Sequence, residues 1–304
     1  MVDMPEYETL VDIEPIQKMP VAQLMDIPAL PAMATWVNLR ELGAKGDGET
    51  DDTKAIQEAI DKYDNIYVPQ GWYRITETLK MKPDTKLIGL HPFGTQFRLD
   101  ESTAAFSGFG GPKAMVESSE GGANMLVGIG INTGGYNYRA VGVKWMANAD
   151  SYMNDVKFVG GHGGLWKPKP GVEEPRGRWN RPARISSPDN PVAASGMDLA
   201  WDNQYWSLWV TNNGGGTFKD IWTASTYATN GFYANNTSTP GRIYAVSIEH
   251  HVRNEVRFNK VSNWKVYCMQ TEEESRESTD CQPIEMDDCK DVTFANLYIC
   301  LLYT

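Results

Sequence analysis

Apolar and polar positions alternate through much of the second half of this chain. In Asn254-Glu255-Val256-Arg257-Phe258, Val256 and Phe258 point one way and their neighbours the other, the period of a half-buried strand. The same pattern, with Asn or Asp placed to make a turn, occurs at 154–158 and at 216–221. Residues 247–261 align without gaps on 283–297. Ile248 falls on Ile284, Glu249 on Glu285, Val256 on Val292 and Phe258 on Phe294, an offset of 36 (284 − 248). Residues 216–221 and Trp209 fit the same strand at an offset of 40 (249 − 209). Such repetition predicts a solenoid of constant coils and variable loops, its parallel strands about 4.8 Å apart. Phe158, Phe218, Phe258 and Phe294 are then expected to line one interior stack.

The N-terminal half opens differently. Residues 1–35 are rich in Pro and Met with little periodicity, and are expected to form an extended arm. A strand at 37–39 leads into a Gly-rich turn, and Asp51, Asp52 or Thr53 caps a helix with Ile56, Ala59 and Ile60 on one face. Strands follow at 66–68 and 72–75, separated by a Pro69–Gly71 turn.

The segment GAKGDGETDDTKAIQEAI, followed by IYVPQGWYRI, resembles the opening of the pectate-lyase-like proteins, nearest the branch related to glycoside hydrolase families 28 and 55. The resemblance covers about forty residues and is specific for fold more than for reaction. It implies an all-β protein, a right-handed parallel β-helix solenoid with an N-terminal capping helix, running as one domain over 36–304. It also implies a carbohydrate-active function in an extracellular or periplasmic setting, although the N-terminus has acidic residues where a secretory signal would be basic and then apolar.

Composition narrows the partners. The 304 residues carry 28 Lys plus Arg against 39 Asp plus Glu, a net charge of −11, which repels phosphate backbones and anionic lipid. No apolar run is long enough to span a membrane as a helix. Nucleic acid and membrane are therefore not expected as partners, and a polysaccharide is. Cys268, Cys281, Cys289 and Cys300 lack C-x-x-C spacing, which argues against zinc and leaves both disulfides and free thiols open. The chain ends on strand-like sequence, so a second copy or another β-helix is a candidate to cover the last coil.

Two long loops interrupt the rhythm. The first, 160–203, gathers Lys and Arg among Trp166, Arg178, Trp179 and Trp201 and is expected to wall a glycan groove. The second, 270–282, is strongly acidic. Equal repeat positions predict that Glu249 and Glu285 stack on one outer face beside Trp209, with Glu273 reaching over from the acidic loop. His250 and His251 lie alongside, for proton transfer or for holding a hydroxyl. Paired carboxylates suit glycoside hydrolysis, and a solvated ladder or an inter-coil calcium site fits the same pattern. Glu249, Glu285, Glu273 and His250 are thus the candidate catalytic residues. Trp166, Arg178, Trp179, Trp201, Trp209 and His251 are the candidate substrate-binding ones. The readings left open are a β-glucan hydrolase of exo-β-1,3-glucanase type needing no cofactor, a uronate lyase that would use calcium, and a non-catalytic glycan-binding module.

Overall fold

The computed structural model describes residues 14–15, 27–159, 204–225, 228–274 and 281–302. They form an all-β parallel solenoid of about eight turns. Two sheets run along it, here called A and B. Every strand pairing within them is parallel, and a coil visits A, turns within A, and then crosses a corner to B.

The alternation read from the sequence builds the core. One inward column of sheet A runs Val37, Ile66, Leu87, Leu126, Met153, Phe218, Ile243, Val266, Phe294. Its middle members are buried, and its two ends, Val37 and Phe294, are partly exposed. Sheet B supplies the facing column Leu79, Val116, Val143, Leu208, Phe232, Val256, Ile284. Each such side chain contributes about 1.5–3 kcal/mol by leaving water. The bend within sheet A recurs at Gly128, Asp155, Asp220, Ala245 and Asn296, all at positive φ. Asp and Asn tolerate that left-handed conformation, which is why they precede the apolar alternation.

The helix Thr53–Lys62 forms as expected and buries Ile56, Ala59 and Ile60. Asp52 occupies its N-cap position, yet its carboxylate accepts from the backbone N–H groups of Lys45 (2.7 Å) and Gly46 (2.9 Å) instead. Asp51 accepts from Thr53 N at 3.0 Å. The acidic pair therefore pins the Gly-rich turn to the helix start.

Two expectations are corrected. The offset of 36 is not a coil: at that point the register pairs Val256 with Ile284 and Trp264 with Val292, a spacing of 28 (284 − 256). The self-alignment superposed strands of different sheets, because each sheet uses the same inward alternation. For the same reason the four Phe residues point inward in three columns, not one. Phe218 and Phe294 share the first column, Phe158 pairs with Ile131 further along sheet A, and Phe258 lies between Ala234 and Met286 on sheet B. The four cysteines are free thiols. Most of the 1–35 arm and all of the 160–203 loop fall outside the described residues.

Candidate functional site

Sheet B presents an outward column that reads Glu117, Lys144, Trp209, Tyr233, Arg257, Glu285 along the solenoid axis. Trp206 joins it at the sheet margin, its ring centroid 4.6 Å from that of Trp209 and 4.8 Å from that of Tyr233. Lys144 Nζ lies 5.1 Å from the Trp209 centroid, and the Arg257 guanidinium 5.5 Å from that of Tyr233. The result is a row of indole and phenol faces with a cation at each end. Beyond the second cation stands Glu285, 3.0 Å from Arg257 Nε and accepting from Asn254 Nδ2 at 2.9 Å. A parallel polar column, Asn235, Asn259 and Asp287, runs beside the aromatic one. Asn235 accepts from Trp209 Nε1 at 2.8 Å, and Asn259 Nδ2 donates to Asp287 at 3.2 Å. Glu285 and Asp287 are two residues apart on one strand, so they share the outer face with their Cα atoms roughly 6.5–7 Å apart.

A second group occupies the corner where sheet A crosses to sheet B. Glu249 is in register with Glu272 on the next coil, so their outward carboxylates stack one strand apart. Ser247 Oγ donates to Glu249 at 2.6 Å. His250 has φ 69° and brings Nε2 to 3.7 Å from Glu249. His251 is buried, with Nε2 3.0 Å from Ser207 Oγ and Nδ1 against the Glu255 carboxyl. The His251 backbone N–H donates to Glu255 at 3.2 Å, and Cys281 Sγ lies 3.7 Å from the same oxygen. Burial holds the His251 imidazole well below its ordinary range and pushes the Glu255 carboxyl well above its own, so this pair is kept uncharged as a unit. Burial also raises the Cys281 thiol. Glu273 turns inward, buried, with neither carboxylate oxygen hydrogen-bonded, and burial pushes it up to about 7.

The structure therefore separates what the sequence grouped. Glu249 does not stack on Glu285: its partner is Glu272, and Glu285 pairs with Arg257 on the other sheet. Trp209 belongs to the column of Glu285, not that of Glu249. Glu273 lies inside the corner instead of reaching over it, His250 does adjoin Glu249, and His251 is enclosed with Ser207 and Glu255. Trp166, Arg178, Trp179 and Trp201 lie outside the described residues. Sequence reasoning missed Trp206, Tyr233, Arg257 and Asp287 on the face, and Ser207 and Glu255 in the corner. Alternation from the inward Leu208 faces Trp209 outward but gives Trp206 the inward parity, so the outward placement of Trp206 beside Trp209 was not legible from the strand pattern. Among the described residues no three His, Cys, Asp or Glu side chains are grouped in a way that could hold a metal ion.

With this geometry in hand, the relatives can be placed. The family described as rhamnogalacturonase A/epimerase, pectate lyase-like, matches residues 36–241, more than half of the chain, and the protein belongs to it. A probable glucan endo-1,3-beta-glucosidase of Arthroderma benhamiae is 44% identical over 57 residues, which is 18% of this chain and 6% of that protein. Alginate lyase 7 of Azotobacter vinelandii is 50% identical over 44 residues, 13% of this chain and 5% of that one. These matches thus span only a small part of the relatives' length. Among solved structures, a family 28 exopolygalacturonase of Yersinia enterocolitica is 15% identical with a TM-score of 0.42, covering 87% of this chain and 48% of that one.

Proposed function

We propose that the protein is a polysaccharide hydrolase that seats its glycan along the outer face of sheet B and cleaves it with Glu285 and Asp287. The observation that carries this reading is the column itself. Trp209 and Tyr233 offer stacking faces at strand spacing, with Trp206 beside them, and the row runs directly into a carboxylate pair. Two carboxyl groups about 6.5–9.5 Å apart leave room for a water molecule between catalyst and sugar, which is the inverting arrangement. The Cα spacing of two residues on one strand, about 6.6 Å, is compatible with such a pair at Glu285 and Asp287.

The contacts suggest which does what. Glu285, oriented by the Arg257 guanidinium and the Asn254 amide N–H directed at it, is assigned the role of drawing a proton from water. Asp287, which accepts from Asn259 Nδ2, is then assigned the role of proton donor to the leaving group. Lys144 and Arg257 fix the register of the chain through its hydroxyl or carboxyl groups. A polysaccharide substrate places this work outside the cytoplasm, in an extracellular or periplasmic setting.

A second reading rests on Glu249 and Glu272. Their stacking at about one strand spacing approaches the separation of roughly 5–5.5 Å used by retaining hydrolases. A panel of neutral β-glucans and uronate polymers separates the readings. Reducing ends without unsaturated product, lost in Glu285→Gln and Asp287→Asn, support the first, and loss confined to Glu249→Gln supports the second. Ultraviolet-absorbing unsaturated product would mark a lyase, and inactivity on every polymer would mark a binding module.

A further inference from the structure

At the margin of sheet B, ahead of the strand Lys113–Glu117, the chain reads Ser107-Gly108-Phe109-Gly110-Gly111-Pro112, and Phe109 at the tip of this loop is fully exposed. We propose that Phe109 is a substrate-binding residue, a clamp that packs on the apolar face of a sugar ring at the end of the aromatic row farthest from Glu285. The inference rests on the sheet B reading and names the residue that holds the remote end of its polymer.

A single exposed apolar side chain is ordinary on a protein surface. The mounting of this one is not. The base of the loop is fixed: Phe106 is buried, its backbone N–H donates to the Thr103 carbonyl at 2.8 Å, and its carbonyl accepts from the Arg139 backbone N–H at 2.8 Å. Two further carbonyls tie the tip. Gly110 accepts from the Tyr205 hydroxyl at 2.9 Å, and Gly111 from Arg139 Nε at 3.1 Å. Gly108 and Gly110 have φ of 74° and 149°, a backbone that glycine adopts without strain. The loop is thus built to present one large side chain, and it presents that side chain to water.

The Tyr205 tie joins the tip to the row. The Tyr205 ring centroid is 5.4 Å from that of Trp206, which is 4.6 Å from that of Trp209. Aromatic groups therefore run without a break from Tyr233 to the loop that carries Phe109. Register sets the distance to the chemistry. The loop feeds the strand of Glu117, which heads the column ending at Glu285, five strand steps or about 24 Å away. Phe109 accordingly meets sugars remote from the bond that is cut. A phenyl ring has no donor or acceptor, so its partner is the C–H face of a sugar. A sugar stacked on the row by one face still presents the other, and covering Phe109 with it takes apolar surface out of water on both sides.

The test is affinity electrophoresis of the full chain through gels containing a soluble β-glucan or polygalacturonate, with Phe109→Ala, Phe109→Tyr and Trp209→Ala beside wild type. KM and kcat are then measured on whichever polymer retards the wild type more. Phe109→Ala should bind that polymer roughly fivefold more weakly, and its melting temperature should be unchanged because the side chain is fully exposed. Phe109→Tyr should bind as wild type does, since the ring face is kept. In Phe109→Ala the loss should fall on KM while kcat holds, the mark of a contact made equally before and during reaction. Wild-type binding by Phe109→Ala, with Trp209→Ala weakened, would overturn the clamp and leave the sheet B reading standing. Wild-type binding by Trp209→Ala, or no retardation of the wild type by either polymer, would remove the row and the clamp with it. Phe109→Tyr as weak as Phe109→Ala, or a fall in kcat at unchanged KM, would also overturn the proposal, because the ring would not be gripping a remote sugar.

Discussion

Glu273 is the side chain whose environment departs most from its sequence context. It sits in an acidic run that reads as solvated loop, yet Thr271 and Glu273 take the inward parity of their strand and are buried. Nothing in Glu-Glu-Glu tells which of three consecutive carboxylates will face in; the register with Ile248 and Glu249 decides it. The consequence is measurable. The folded-state value of about 7 lies above the unfolded value of 4.5, so the protonated form is the one that folding favours. Stability from this group is fully present below about pH 4.5 and is lost as pH rises through about 7. Glu273→Gln should therefore match wild type in thermal unfolding near pH 4.5. Above pH 7 the variant should gain on wild type, by on the order of 1–3 kcal/mol. An unfolding difference that does not change across that range would contradict the buried placement.

At the scale of the element, the legible part was the strand and the illegible part was its neighbour. Helix, Gly-rich turn and first strands follow from local patterns, and Val256 and Phe258 were correctly read as inward. Which coil lies beside which was not legible. The repeat spacing varies from 21 residues (Ile66 to Leu87) to 65 (Met153 to Phe218), and both sheets use the same inward pattern. Glu285 was found as a candidate by a misaligned repeat, and its true companions are Arg257, Tyr233 and Trp209. The corner illustrates how tightly coils are matched once the register is known. A methyl group on Gly231 would lie 2.3 Å from Ile248 Cγ2 and 2.6 Å from both the Glu255 carbonyl oxygen and His251 Cε1. Gly231→Ala should then cost about 1–3 kcal/mol of stability by overpacking, readable as a fall in denaturant midpoint. A neutral result would mean that the Ser207–His251–Glu255 corner is loose. On the outer face, by contrast, Trp209→Ala should weaken glycan binding about tenfold by removing one stacking surface. Its melting temperature should fall little, because Trp209 is on the outer face of the sheet.

The whole molecule is a frame that places unlike surfaces along one axis. Parallel strands repeat at about 4.8 Å, so any outward column becomes a ladder on which an extended polymer can lie in register. Sheet B carries aromatics, two cations and a carboxylate pair on such a ladder. Sheet A carries aromatics and neutral groups edged by acids. The net charge of −11 does not oppose an uncharged sugar polymer on either face. The central claim is that glycan cleavage takes place on sheet B, and the direct measurement is turnover of the preferred polymer by Glu285→Gln, Asp287→Asn and Glu249→Gln beside wild type. The first two should each lose about a hundredfold or more in kcat, with inverted anomeric product from the wild type, while Glu249→Gln stays within roughly threefold. If Glu285→Gln and Asp287→Asn both retain wild-type turnover in a folded protein, the sheet B face is not where the bond is broken.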